Sequence, residues 1–345
     1  MIPIQNIYYM LSYAFQVLNE QGYKNIATEQ FHNTAELMAA ILEKGIAIQL
    51  KRGLGKEYIP QTEALSSLRG KIDIAESIKT QSMLRKQLIC TYDEFSVNSI
   101  MNQIIKSTVE LLLRSNISKQ RKKNLRKLMV YFSEVDFIDS YTVNWNVQYN
   151  RNNQTYCMLI SICYLVVKGL LQTQSNGHTK LMDFLDEQRM CRLYEKFILE
   201  YYRKEFKNQI TANASQIPWQ LDNEENSMLP VMQSDIMLQS GEKVLIIDAK
   251  YYEHSTQVQF DKHTLYSGNL YQIFTYVKNK EYELREKDHT VSGMLLYAKT
   301  DEEIYPNNVY QMSGNQIAVR TLDLNLPFDE IASQLNTIAK THFDL

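Results

Sequence analysis

Two aspartates and a lysine have the types and spacing best suited to chemistry on a charged substrate. Asp235 lies in a segment that alternates polar and apolar residues, and Asp248 and Lys250 follow the apolar run 244–247. Successive side chains of a strand point to opposite faces, so Asp248 and Lys250, two residues apart, share one face. A hairpin over this stretch therefore presents two carboxylates and one amine together.

The two carboxylates need a positive charge nearby. Ionised carboxylates about 4 Å apart repel by roughly 4 kcal/mol at an effective dielectric near 20, so such a pair requires a cation or a shared proton. A hard divalent ion such as Mg²⁺ prefers oxygen ligands of this kind. The adjacent lysine would orient or help deprotonate a metal-bound water, or offset charge on a phosphate. The alternative is a surface hairpin in which Asp and Lys form an ordinary ion pair.

A hairpin and two flanking helices are predicted to position these residues. Residues 234–239, with Asp235 inside, and 244–247 have strand patterns, and Ser240 and Gly241 supply the turn between them. Apolar periodicity predicts one helix over 187–206 and another over 265–278. The second helix carries Gln272 and Tyr276 four residues apart, hence on one face.

The rest of the chain shows further helix and strand patterns. Helices are predicted over 4–18, 34–50, 93–113 and 156–167, the third beginning at a capping-like Asp93-Glu94 pair, and short strands and loops over 51–77. Another buried strand is predicted over 293–297, and a last strand and helix over 322–328 and 331–338. A coarse domain boundary, at residue 150, is placed in the polar, Asn-rich segment 143–154.

The order of an acidic residue, a hairpin and then (D/E)-x-K resembles the PD-(D/E)xK nuclease superfamily, although Pro230 precedes Asp235 by five positions. Longer segments resemble the McrC family, the nuclease subunit of the McrBC modification-dependent restriction system. These segments are IPIQNIYYMLSYAF (2–15), LRGKIDI (68–74), DEFSVNSIMNQIIKST (93–108), LPVMQSDIMLQSGEKVLIIDAKYY (229–252) and NLYQIFTYV (269–277). They follow one another over nearly the whole chain, so the resemblance is far more specific than the three charged residues.

The resemblance implies a fold of α+β or α/β class with two domains. Residues 1–150 would form a module of helices and small strands that enters a partner ring. Residues 151–345 would form a PD-(D/E)xK endonuclease domain, with a mixed central sheet flanked by helices.

The resemblance also assigns roles to residues of this chain. Asp235, Asp248 and the Ala249 carbonyl would hold Mg²⁺, and Lys250 would position the attacking water. The LYEKF segment resembles the LFE-type motif of related subunits, which favours Glu195 as a further acidic ligand, with Glu200 as the alternative. Two residues match the QxxxY element and would support the site; they are Gln272 and Tyr276.

A partner is implied as well, namely a hexameric McrB-type AAA+ GTPase that recognises 5-methylcytosine or another modified cytosine in double-stranded DNA. The chain would cut the DNA and stimulate GTP hydrolysis. It has no GxxxxGK[ST] phosphate loop, so GTP is expected on the partner. The alternatives are a non-catalytic adaptor of the ring and a repair nuclease unrelated to methylation.

Composition is ordinary for a globular protein, with 345 residues, 44% hydrophobic and 22% charged, and a net charge of −2. No global basic field favours DNA, so DNA contact requires a local patch or a partner. The most basic segment, 114–127, has seven Lys and Arg residues and no acid; it is a solvated helix face, a phosphate contact or a dock for an acidic partner. Four cysteines without CxxC spacing and the lack of a signal or membrane-span pattern predict a cytoplasmic protein.

Overall fold

The computed structural model describes residues 2–15, 18, 23, 26, 29, 31–139, 142–149, 155–175, 187–223, 228–252, 254–259, 262–300, 302 and 305–345. Its contacts divide the chain into two compact units. The terminal unit consists of Met1–Thr28 and Asp183–Leu345, and the inserted unit is Glu29–Met182.

The helices and strands are defined as follows. The described helices are α1 (Ile4–Ala14), α2 (Thr34–Arg52), α3 (Ile74–Lys79), α4 (Ile100–Arg114), α5 (Lys119–Met129), α6 (Tyr156–Ser175), α7 (Glu187–Glu205), α8 (Ser267–Glu283) and α9 (Phe328–Phe343). The described strands are β1 (Glu57–Leu65), β2 (Lys71–Asp73), β3 (Leu88–Ser96), β4 (Thr211–Asn213), β5 (Gln216–Ile217), β6 (Met232–Gln233), β7 (Ile236–Ser240), β8 (Lys243–Lys250), β9 (Gln257–Gln259), β10 (Lys262–Thr264), β11 (Thr290–Ala298), β12 (Asn308–Met312) and β13 (Asn315–Leu322). Over these ranges no helix is long and apolar enough to cross a membrane.

In the inserted unit, α2, α4, α5 and α6 pack on one another, while β1, β3 and β2 form an antiparallel sheet. Tyr156, at the start of α6, is buried, and its hydroxyl donates to Asn102 of α4 at 2.8 Å. This contact ties α6 to the inserted unit, so the division by contacts does not fall near residue 150. The separate functional division, into a ring-inserting part over 1–150 and an endonuclease part over 151–345, stays a prediction.

Two predicted elements differ most from the structure. The helix predicted from Asp93 begins only at Ile100, because Asp93 lies in β3 opposite Pro60 of β1. Ser99 caps the helix instead, its hydroxyl accepting from Asn102 N at 3.4 Å. The strand predicted over 322–328 ends at its first residue, since β13 lies upstream of it and pairs with β11 and β12.

The terminal unit is built on a mixed sheet flanked by helices, as predicted. Its described strands lie in the order β12-β13-β11-β8-β7-β4, with β8, β11 and β13 parallel and the other pairs antiparallel. The parallel strands β8 and β11 are buried along nearly their whole length, in keeping with their continuous apolar runs. Helices α7 and α8 both pack on β8.

Gly293 of β11 fixes how closely α8 approaches the sheet. A Cβ at this position would lie 2.8 Å from both Ile273 Cγ1 and Val277 Cγ2 of α8. Such contacts are far below van der Waals distance, so a side chain here would push the helix outward. The absence of a side chain at Gly293 therefore lets α8 lie close to the sheet. It thereby sets the distance of Gln272 and Tyr276, both on α8, from β8.

Candidate active site

The β7–β8 hairpin brings Asp235 to the end of β8. Ile236, the first residue of β7, pairs with Ile247, and Gly241 in the turn has a φ of 56°. Asp235 was predicted inside the first strand but directly precedes it. Its side chain, rather than its backbone, bonds to β8 there: Asp235 Oδ2 accepts a hydrogen bond from Ala249 N at 2.9 Å.

Asp248 and Lys250 share one face, as the strand alternation predicted. Lys250 Nζ lies 2.7 Å from Asp248 Oδ2, and the two side chains are only 13% and 1% exposed. Apart from this ion pair, neither oxygen of Asp248 has a hydrogen-bond partner among the described residues. A surface ion pair is thereby excluded, and Asp248 is a buried carboxylate with spare capacity to bind a cation.

The carboxylates of the site repel one another. Burial, followed by the negative charges of Asp248 and Glu195, raises the pKa of Asp235 to about 8, although Lys250 acts in the opposite direction. Burial also raises the pKa of Glu195 above its ordinary value, and the charge of Asp248 adds to that effect. The sequence thus creates a buried group of like charges that protons or cations must neutralise.

Glu195, rather than Glu200, belongs to this group. Helix α7 directs Glu195 toward β8, where Cys191, one turn earlier, donates its thiol to Glu195 Oε1 at 3.1 Å and lies 3.9 Å from the Ala249 carbonyl oxygen. Glu200 instead pairs with Arg203 at 2.7 Å. Sequence reasoning missed Cys191, although its spacing of four residues from Glu195 places both on one helical face.

Helix α8 supplies a polar chain that ends at the lysine. Lys250 Nζ donates to Gln272 Oε1 at 3.4 Å, and Gln272 Nε2 donates to the Tyr276 hydroxyl at 3.0 Å. Tyr276 is buried and packs in the core of the terminal unit. The predicted pair on α8 therefore reaches the hairpin and restrains the amine of Lys250.

The donors at this site are suited to a hard divalent cation. Within the described ranges, no three His, Cys, Asp or Glu side chains are already grouped around a point where a metal would sit. However, apart from the ion pair with Lys250, the two buried oxygens of Asp248 have no partner among the described residues, and the charge of the neighbouring Asp235 is disfavoured by burial and by Asp248. A cation bound between carboxylates would remove both penalties, which makes the residues fit Mg²⁺ in kind.

Comparison with known proteins identifies the family of this chain. A family model described as "McrBC 5-methylcytosine restriction system component" matches residues 5–298. The chain belongs to this family. A relative in the McrBC family, the "Type IV methyl-directed restriction enzyme EcoKMcrBC" of Escherichia coli (strain K12), is 29% identical over 342 residues, which cover 97% of this chain and 96% of the relative.

Two solved McrBC assemblies from Thermococcus gammatolerans are similar at lower levels. One, a half-complex of McrB AAA+ hexamers with bound McrC, gives a TM-score of 0.47 at 18% identity and covers 97% of this chain and 76% of the other. The second, a McrBC complex, gives a TM-score of 0.42 at 19% identity over 59% of each chain. At these values the family assignment depends on the sequence matches.

The raised pKa of Asp235 leads to a prediction about the metal-free protein. The pKa of Asp235 is about 4 in the unfolded chain and about 8 in the folded protein. Between these two pH values the folded state therefore binds one proton more than the unfolded state. Stability is therefore expected to fall as the pH rises from about 5 to about 8, by at most about 1.4 kcal/mol per pH unit from this group. Urea unfolding over this range measures the slope. An Asp235→Asn variant should show a shallower decline, and equal slopes would contradict the assignment.

Proposed function

We propose that this chain is the endonuclease subunit of a modification-dependent restriction complex, and that it hydrolyses phosphodiester bonds of double-stranded DNA with Mg²⁺. The observation that carries the proposal is the buried group of Asp235, Asp248 and Lys250 at one end of a hairpin. Its order along the chain follows the PD-(D/E)xK pattern. Membership of the McrBC family makes DNA the expected substrate.

The chain's own residues have distinct tasks in this mechanism. Asp235, Asp248 and the Ala249 carbonyl would hold the metal, and Glu195 is the candidate for a further ligand. Bound Mg²⁺ would neutralise phosphate charge and lower the pKa of a water molecule. Because the carboxylates are buried, little water would screen the charges at the site. Electrostatic stabilisation of a bound phosphate by the metal would therefore be stronger than in water.

Lys250 is suited to donate hydrogen bonds rather than to accept a proton. Burial alone would lower the pKa of Lys250, but the charges of Asp248 and then Asp235 hold it above its ordinary value. The protonated amine can orient an attacking water or contact a phosphate oxygen. Gln272 accepts from this amine and is itself held by Tyr276, so the pair on α8 would limit the positions that the amine can reach.

The same proposal includes a GTPase partner. The family description names a component of an McrBC restriction system, and the name of the Escherichia coli relative also contains McrBC. Since this sequence contains no phosphate loop, an McrB-type AAA+ hexamer would bind GTP and read the modified cytosine. This chain would stimulate GTP hydrolysis and cut the DNA that the ring moves.

Reconstitution with an McrB-type GTPase from the same organism tests this function. We expect cleavage of cytosine-methylated duplex DNA that requires both GTP and Mg²⁺, and little cleavage of unmethylated DNA. Cutting that ignores methylation and GTP would instead indicate a repair nuclease. Stimulated GTP hydrolysis without any cutting would indicate a non-catalytic adaptor.

The choice between the two glutamates of α7 gives a second prediction. Glu195→Gln should lower the cleavage rate by about 10- to 100-fold and raise the Mg²⁺ concentration needed, because a group beside the metal loses its charge. Glu200→Gln is the matched control on the same helix and should remain within about twofold of the parent, since Glu200 pairs with Arg203. Equal losses of cleavage activity in both variants would contradict a role for Glu195 in the metal site.

A further inference from the structure

Helix α5 of the inserted unit has an outward face made of cations. Its sequence is KQRKKNLRKLM, and positions separated by three, four, seven and eight residues share a side of the helix. The cations of this face are Lys119, Lys123, Arg126 and Lys127, all exposed, and the half-buried Lys122. None of the five has a carboxylate partner within 4 Å among the described residues.

The opposite face of α5 is fixed to the unit. Leu125 is fully buried there, and Arg121 is largely buried among carboxylates. The ion-pair partners of Arg121 are Glu29 at 2.7 Å, Glu36 at 3.3 Å and Glu43 at 2.9 Å. Glu36 also accepts hydrogen bonds from the backbone and hydroxyl of Ser118, which precedes the helix. The nearby acids are thus engaged by the inward face, and the outward cations are held in a fixed direction.

Charge is unevenly divided between the two units. The inserted unit holds 20 of the 37 Lys and Arg residues and 13 of the 39 Asp and Glu residues, a formal charge of +7. The terminal unit holds the remaining 17 and 26, a formal charge of −9. The near-neutral total therefore conceals a basic unit and an acidic one. A formally acidic unit offers a polyanion no net attraction, so the inserted unit is the expected source of electrostatic attraction.

We propose that the outward face of α5 binds the phosphate backbone of double-stranded DNA. The identity of the ligand rests on the proposed function, in which duplex DNA is the substrate. From Lys119 to Lys127 the face extends for about 12 Å along the helix axis. A duplex carries one negative charge per about 1.7 Å of its axis, so several phosphates can meet this face at once.

The composition of the face favours nucleic acid over a protein partner. All its positions are Lys or Arg, whereas the cores of protein interfaces are depleted in Lys and contain apolar or aromatic anchors. Binding through such side chains holds DNA without reading its bases. The face would therefore act on methylated and unmethylated duplexes alike and leave recognition of the modified base to the partner.

A salt titration of DNA binding tests the proposal on the full chain. The variant replaces Lys119, Lys123, Arg126 and Lys127 by Gln, which preserves helix propensity. Binding to methylated and unmethylated duplexes is measured without divalent metal, so the result does not depend on whether the chain cuts. Loss of four contacts should reduce the slope of log K against log salt by about 3 to 4. The ratio of the parent's DNA-binding constant to that of the variant should then fall by roughly 100-fold between about 50 and about 200 mM salt.

A matched variant of the terminal unit controls for net charge. Substitution of Lys207, Arg285, Lys287 and Lys340 by Gln removes three Lys and one Arg that are likewise exposed. In this variant the slope of log K against log salt should stay close to that of the parent. An equal decrease of the slope in the two variants would overturn the proposal. Arg at the three Lys positions of α5 should retain the binding of the parent. Failure of that rescue with the fold intact would also count against a backbone contact.

A protein partner on α5 would give a different pattern. Val130 and Tyr131, which follow the helix, are 70% and 67% exposed and would be its apolar anchors. Unchanged DNA binding together with lost stimulation of the GTPase would overturn the DNA proposal in favour of that partner. If neither property changes, the face is simply solvated, and the proposal is wrong.

Discussion

Asp248→Asn is expected to lower DNA cleavage by at least about a thousandfold, because a metal ligand supplies several kcal/mol of transition-state stabilisation. Asp248 is 1% exposed and has no partner besides Lys250 among the described residues, so its charge is the feature that a cation would use. Asparagine keeps the shape of the side chain but loses that charge. Cleavage of methylated duplex by the reconstituted complex measures the effect.

The same substitution should change the stability of the metal-free protein by less than about 1 kcal/mol, since two effects oppose each other. Removing the charge of Asp248 relieves the repulsion that contributes to the raised pKa of Asp235. It also takes the closest anion from Lys250, but Asp235 acts on that amine as well. We expect the pKa of Asp235 to fall and the loss of stability with pH to begin at a lower pH.

A second Asp–Lys pair in the terminal unit provides the control. Asp323 lies 2.7 Å from Lys299, and its side chain is 17% exposed. Asp323→Asn should leave cleavage within about twofold of the parent, because this pair makes no contact with Asp235, Asp248 or Lys250. Both variants should still stimulate the GTPase. Near-parental cutting by Asp248→Asn would sink the assignment of the metal site.

Local patterns predicted much of the terminal unit because its elements have strong periodicity. The alternation around Asp235 and the apolar run before Asp248 correctly indicated a hairpin, and Gly241 marked its turn. Tertiary pairing decided the cases that failed. Asp93 looks like a helix cap in isolation, yet its segment pairs with β1, and a long-range partner of this kind leaves no short-range signal.

The site shows the same limit. Strand alternation was enough to place Asp248 beside Lys250, since both belong to one element. The LFE-type resemblance favoured Glu195 over Glu200, but the spacing within α7 could not decide between them, because the choice depends on how α7 packs on β8. The contact of Cys191 with Glu195 and Ala249 depends on that packing as well. Likewise, charge counts alone could not show that Arg121 faces inward while its neighbours on α5 face outward.

Lys250→Met is expected to lower cleavage as strongly as Asp248→Asn but to destabilise the metal-free protein by about 3 kcal/mol. Methionine fills a similar volume without the charge, so Asp248 would remain buried and unpaired. The destabilisation should grow as the pH rises from about 6 to about 8, because Asp235 then loses the proton that limits repulsion. Urea unfolding at several pH values measures this dependence.

Metal and a double variant distinguish this explanation from simple loss of packing. Mg²⁺ should stabilise Lys250→Met more than the parent, because it replaces the missing positive charge. Asp248→Asn combined with Lys250→Met should recover most of the lost stability, with a coupling of about 2 kcal/mol. Lys299→Met breaks the more exposed pair with Asp323 and should cost less than about 1 kcal/mol. If Lys250→Met costs no more than Lys299→Met at any pH, the lysine does not neutralise the carboxylate group, and its proposed role in holding the site together fails.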